Sequence, residues 1–279
     1  MSKNTPAIAV APENTKSPKT PNPWLPSFYR HPLFAGYDSL TPIFENQSWP
    51  TLEKLNNISK QRGIINTAGL PIQFSEQTAV KGQRDYEAQI HTTGLVPTRS
   101  QSWHDFFNAC VWLTFPKLKA ALNTIHCAQP EDSHRTAIAD AATVFDESGA
   151  ILIGPDPALA QWLKDHDWHQ AFVAARGAWR SHRLLVVGHS VLEKTLNPYP
   201  GMIAKVAYLP SPPITTQALS EQSIAAYDQA LARHWLEGEF ERPRDFFPLP
   251  VLGVPGVDPA NEIPDFYNNI DVFRPPSQK

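Results

Sequence analysis

His104, Asp105 and Asn108 stand together at the start of the strongest helix signal in this chain of 279 residues. His104 and Asn108 are four apart, so a helix puts them on one face. That face differs from the one bearing Phe106, Ala109, Cys110 and Leu113. A histidine there could act as acid, base or ligand, with Asn108 orienting a substrate, and the free N–H groups of a helix start attract anions. The plainer reading is structural. Asp105 lies three residues after Ser102, at capping-box spacing, and His104 and Asn108 could serve only as hydrogen-bond partners. His189 and Glu193 form a second pair four apart. Such a pair can chelate a divalent metal, or the carboxylate can orient the imidazole. Its plainer counterpart is a helical ion pair. If the two segments converge, two imidazoles and a carboxylate resemble a metal site with open positions. HExxH is absent, so a zinc-protease reading has no support.

Arg176, Arg180 and Arg183 are spaced to form a stripe on one helical face. Their guanidinium forks suit phosphate or carboxylate, hence a small acidic ligand, although a solvated surface explains most such stripes. Leu184 to Ser190 looks like the strand and elbow of an α/β-hydrolase with Ser190 as nucleophile. That elbow needs Gly-x-Ser-x-Gly, the last position here is Leu192, and the preceding βα units are missing. Asp146 and Glu147 could be paired acids, but they fall where a hairpin turn is expected, and turns favour exposed Asp. No Gly-rich phosphate loop, dinucleotide fingerprint or zinc-finger spacing is present, so ATP, NAD and structural zinc have no positive evidence. A net charge of −3 gives no reason to expect nucleic-acid binding. Cys110 and Cys127 show no CxxC spacing and read as reduced, packed thiols. No apolar run approaches the roughly 20 residues that span a bilayer. The stretch Ala7–Ala11, between Pro6 and Pro12, is too short for a signal-peptide core. No membrane association is expected, and the expected location is the cytoplasm.

These residues need elements to hold them. Residues 1–23 lack large apolar side chains until their end and predict a disordered tail. Residues 24–279 predict a single globular domain. Ser48 and Pro50 open a helix carrying Leu52, Leu55 and Ile58, with Gly63 after its last turn. Residues 71–91 suggest short strands, because Tyr86 to His91 alternate at period two. The helix from Ser102 restarts at Thr114 and Pro116 and carries Leu118, Leu122 and Ile125. Thr143 to Ile153 suggests a β-hairpin. Asp156-Pro157 opens a helix, residues 168–197 look mostly helical, Met202 to Leu209 suggests a strand, and Ser220 opens a helix with Ile224, Tyr227, Leu231 and Trp235. Prolines are frequent from Arg242 onward, but Phe246, Phe247, Phe266, Tyr267 and Phe273 predict an ordered strap, because each ring can bury apolar area. The expected fold is α+β, predominantly α-helical, with small hairpin or strand elements and an extended Pro-rich C-terminal strap.

Several strings carry a family resemblance. They are Tyr86-Glu87, Gly94 to Arg99, Trp103 to Asn108, Phe115-Pro116-Lys117, Phe145 to Gly149, Gly188-His189, Leu192-Glu193-Lys194, Pro248 to Gly256, and Phe273-Arg274-Pro275. Together they resemble, from about residue 24 to the C-terminus, the bacterial family catalogued as domain of unknown function 3025. Val257-Asp258 departs from the aromatic expected after the Pro-Gly turn, which puts one packing contact in doubt. The resemblance implies a bacterial protein of unassigned activity and brings no catalytic residues with it. The residues themselves point to a hydrolytic enzyme, with His104 and His189 as acid–base groups or ligands of a divalent metal and Asn108 and Glu193 positioning them. Two alternatives stand beside it: a binding protein for a small acidic ligand, and a non-catalytic scaffold.

Overall fold

The computed structural model describes residues 22–77, 82–129, 136–214 and 219–275. The tail expected over 1–23 falls, up to residue 21, outside the described residues. The helices are α1 (Thr41–Phe44), α2 (Leu52–Gln61), α3 (Gln83–Thr93), α4 (Trp103–Thr114), α5 (Pro116–Cys127), α6 (Ala137–Ser148), α7 (Pro157–Lys164), α8 (His189–Lys194) and α9 (Glu221–Leu236). The strands are β1 (Gln73–Glu76), β2 (Leu95–Thr98), β3 (Gly149–Gly154), β4 (Arg183–Val186), β5 (Ile203–Pro210) and β6 (Phe247–Pro250). This is an α+β fold, mostly helical, with small sheets and a Pro-rich C-terminal run of short turns.

Gly149-Ala150-Ile151-Leu152-Ile153-Gly154 is buried throughout, as a strand covered on both faces must be. It lies in the middle of a sheet ordered β4-β3-β5-β6, antiparallel to β4 and parallel to β5. β6 closes one edge, with Pro248 opposite Lys205 and Pro250 opposite Ile203. Proline has no N–H to give a ladder, so an edge is where such a strand can sit. β1 and β2 form a separate parallel pair.

Every residue of α4 except His104 is buried, which makes α4 a core helix with one opening. Ser102 caps it by accepting from the Asp105 N–H. Pro116 starts α5, and Asp228 of α9 accepts from the Lys117 and Leu118 N–H groups at 3.0 and 2.8 Å. Burial pushes the Asp228 carboxyl up to about 6, although those two N–H groups oppose the shift. The buried apolar side chains of sheet and helices form one continuous cluster.

Two sequence expectations change and a third is refined. Tyr86 to His91 belong to helix α3 rather than a strand. Glu87 and Ile90, three apart, are its buried residues, and Gly94 ends it in the left-handed region at φ 74°. The supposed hairpin at 143–153 is instead the end of α6 followed by β3. Ala139, Ala142 and Phe145 recur at helical spacing on the buried face, and Thr136 caps the start. The segment 168–197 is mostly helical, as short turns at Gln170–Ala174 and Arg176–Ser181 and helix α8, but Arg183–Val186 interrupts it as a strand paired with β3. A smaller change is that Thr51, not Ser48, caps α2. The aromatic strap is ordered through Phe273. Phe172 stacks on Tyr267 at 5.1 Å, and Trp168 donates to the Arg274 carbonyl at 2.7 Å.

One close approach positions the site. A Cβ on Gly188 would come within 2.6 Å of the Ser148 backbone and 2.5 Å of the Gly149 nitrogen. The Val187 and Gly188 N–H groups both donate to the Gly149 carbonyl, at 3.0 and 2.8 Å. The C-terminus of α6 is thereby fastened to the start of α8. Gly188→Ala is expected to cost about 1–3 kcal/mol, as overpacking against immovable backbone does. Chemical denaturation checks this, and a variant as stable as wild type would refute it.

Candidate metal centre

His104 opens α4 and His189 opens α8, and these helices pack together. Their rings meet edge-to-face with centroids 4.5 Å apart, and Nε2 faces Nε2 at 3.1 Å. Glu147, in the last turn of α6, completes the group. Its carboxylate oxygens lie 3.9 Å from His104 Nε2 and 3.6 Å from His189 Nε2. One ligand atom from each of the three residues falls within 4.8 Å of the others. A linear N–H···N bond would add the depth of both rings to the nitrogen separation. The centroids are too close for that, so the two nitrogens approach each other at an angle.

That triangle suits a small divalent cation. Nitrogen ligands at about 2.0–2.1 Å in tetrahedral geometry lie about 3.3 Å from one another. The two Nε2 atoms, 3.1 Å apart, are close to this distance, while the carboxylate stands somewhat farther off, with Oε1 3.6 Å from His189 and Oε2 3.9 Å from His104.

Behind each imidazole stands a carboxylate, as metal-bound histidines usually require. Asp105 Oδ1 lies 3.1 Å from His104 Nδ1, and Arg99 clamps Asp105 with Nε and Nη2 at 2.9 and 2.7 Å. Asp146 Oδ2 lies 3.9 Å from His189 Nδ1, a buried nitrogen with no hydrogen-bond partner. Lys119, itself buried, holds Asp146 Oδ1 at 2.6 Å. Ser190 Oγ donates to Glu147. Among the described residues, no Lys or Arg pairs with the Glu147 carboxylate, which faces the two imidazoles and the Ser190 hydroxyl.

A hydrogen bond to Asp105 and the nearby Glu147 carboxylate push the His104 imidazole up to about 9. Burial opposes ionisation of Asp105, but hydrogen bonds from Arg99 and His104 hold it well below the usual carboxylate range. Burial likewise opposes Glu147, and the His104 and His189 imidazoles beside it hold it far down.

The group opens into a cleft of about 370 Å³. Asn108 lines the cleft and donates from Nδ2 to the Tyr86 hydroxyl at 3.0 Å. His104, Asn108 and His189 are therefore brought together. Glu193 is not among the lining residues, and its charge acts on Arg99. Glu147 stands where Glu193 was expected.

The arginine stripe does not form. Arg176 and Arg180 lie on a tight turn (Arg176–Ser181), while Arg183 lies on β4, so no helical face unites them. Arg176 is spent on Tyr267, Asn261 and Glu262 at 2.8, 2.9 and 2.7 Å, which ties down the strap. Arg183 donates to the Arg180 and His182 carbonyls.

Sequence reasoning weighed Asp146 and Glu147 as paired acids but set them aside as exposed turn residues, and it did not single out Arg99, Lys119 or Tyr86 as site residues. A usable signal existed for the two acids, because α6 ends on Asp146 and Glu147 with no basic residue in its last turn, against the helix dipole.

The family model described as "Protein of unknown function (DUF3025)" matches residues 72–277. No curated protein and no solved structure matches the chain.

The metal-free protein has a definite pH signature. A group whose folded pKa is raised stabilises fully below its unfolded value, about 6.5 for His. That stabilisation is lost as pH rises through about 9 for His104. In chelator, the melting temperature of wild type should fall across this window, and His104→Gln should flatten the fall. Parallel wild-type and variant curves would refute the assignment.

Proposed function

We propose that this chain, which belongs to the DUF3025 family of proteins of unknown function, is a metal-dependent hydrolase whose ion is held by His104, His189 and Glu147. The carrying observation is the convergence of two imidazoles and one carboxylate, with one ligand atom from each within 4.8 Å of the others. Two histidines and a glutamate leave at least one coordination position facing the cleft, the pattern of catalytic rather than structural zinc. A divalent ion there would polarise a carbonyl or phosphoryl oxygen and acidify a water.

The chain's own residues would do the rest. Asp105 fixes the His104 tautomer so that Nε2 offers its lone pair, and Asp146 places a negative charge 3.9 Å behind the His189 ring. Asn108, held by Tyr86, orients the substrate. Burial pushes the Tyr86 phenol well up, so it stays protonated and able to donate. We further propose a bacterial, cytoplasmic setting, in keeping with the family resemblance and with two free cysteines.

A second reading uses the same 3.1 Å contact as an imidazole–imidazole hydrogen bond in a non-catalytic binding or scaffold protein. Metal analysis of protein purified without an affinity tag separates the two. The hydrolase reading expects about one ion per chain, background levels in His189→Ala and Glu147→Gln, and wild-type content in Glu193→Gln. Asp146→Asn should weaken metal binding about 10–100-fold, as losing a partner behind a ligand does. Metal-free wild type that cannot be reconstituted with zinc, manganese or iron would leave the second reading standing.

A further inference from the structure

Arg99 stands at the mouth of the cleft, in the short link between β2 and α4. Its Nε and Nη2 are taken by Asp105, and its backbone N–H donates to the same carboxylate at 2.7 Å. Nη1 has no protein partner among the described residues, on a side chain that is 57% exposed. The fork is thus already immobilised, so a ligand meeting Nη1 need not order a long side chain. Through Asp105, this guanidinium is two hydrogen bonds from the His104 ring.

Charge points the same way. Asp105 is matched by Arg99 and Asp146 by Lys119. A divalent ion on His104, His189 and Glu147 therefore leaves that ligand set itself positive, with Glu87 as a further carboxylate among the described residues of the wall. The rest of the cleft wall carries mostly polar side chains, among them Gln77, Gln83, Tyr86 and Thr143, and the buried Glu87, whose Oε2 accepts from Asn123 Nδ2 at 2.8 Å. Asn108 adds an independent demand. It is 7% exposed, and its Oδ1 has no partner, so the wall holds an acceptor waiting for a donor.

We infer that the substrate is a small polar molecule carrying an oxyanion, a carboxylate or a phosphate, which Arg99 Nη1 grips beside His104, His189 and Glu147. A hydroxyl or N–H of the same molecule meets Asn108. The inference rests on the hydrolase reading above. In the reaction, water adds across the cleaved bond. Its oxygen goes to the electrophilic carbon or phosphorus and its proton to the leaving oxygen or nitrogen.

The test titrates metal-loaded protein with inorganic phosphate and, separately, with acetate by calorimetry, with metal content and thermal unfolding measured on the same samples. At least one anion should bind wild type, and the one that binds assigns phosphate or carboxylate. Arg99→Gln should weaken that binding at least tenfold while keeping its metal. Arg99→Lys, which keeps a charge against Asp105 but loses the fork, should fall between, and it decides the point if Arg99→Gln loses metal or folds poorly. A fully loaded wild type indifferent to both anions, or unchanged affinity in the loaded variants, overturns this inference alone. A wild type that cannot hold metal overturns the hydrolase reading and this inference with it.

Discussion

The passage of Gly188 across the Ser148–Gly149 junction is the constraint on which the rest of the centre depends. Only a residue without Cβ fits there, because the nearest obstacles are backbone atoms that cannot rotate away. Two N–H groups converging on the Gly149 carbonyl hold the junction closed. α6 ends there and α8 begins there, so Glu147 and His189 must face each other. α4 then packs against α8 with all but its first-turn histidine buried, and that histidine points at the other two.

The charges around this junction are poor investments in stability. Burying an ion pair such as Lys119–Asp146 costs desolvation that the mutual attraction offsets only in part. Asp146 and Glu147 sit at the helix end where the dipole disfavours anions. Both arrangements make sense as devices that hold imidazoles. Each acid sits behind or beside a histidine, and Asp105 and Asp146 each have a cation of their own to fix them. Among the described residues Glu147 has no Lys or Arg of its own, which is the local deficit that a bound cation would fill.

The strings that carry the family resemblance are scattered along the chain, yet Tyr86, Arg99, His104 to Asn108, Asp146-Glu147 and Gly188-His189 meet around a single cleft. The far side of the molecule serves a different purpose. There Arg176 binds the C-terminal segment to the body through three side chains, and Phe172, Tyr267 and Phe273 pack their rings together. An arginine so engaged is structural, which leaves Arg99 as the guanidinium with an open edge at the cleft.

Much of this was legible in the residues alone. Ser102, Asp156-Pro157 and Ser220 announce helix starts because capping is a local interaction between neighbours in sequence. The polarity of His104 and Asn108 on an otherwise apolar helix marked them as unusual, and His189 followed from its spacing and family string. What stayed hidden depended on distant contacts. Tyr86 to His91 alternate like a strand but coil as a helix, and Leu184 to Val186 become a strand by pairing with β3. The identity of the third acid is the sharpest case. Glu193 shares a helix with His189, so local spacing favours it, but six residues of helix cannot show which way the cleft lies. The chain by itself determined which groups could do chemistry and where most helices begin, because those are short-range matters of side-chain type and capping. Tertiary packing decided that Glu147 and not Glu193 joins the two imidazoles. Forty-odd residues of intervening chain had to fold before one glycine could bring those backbones into contact.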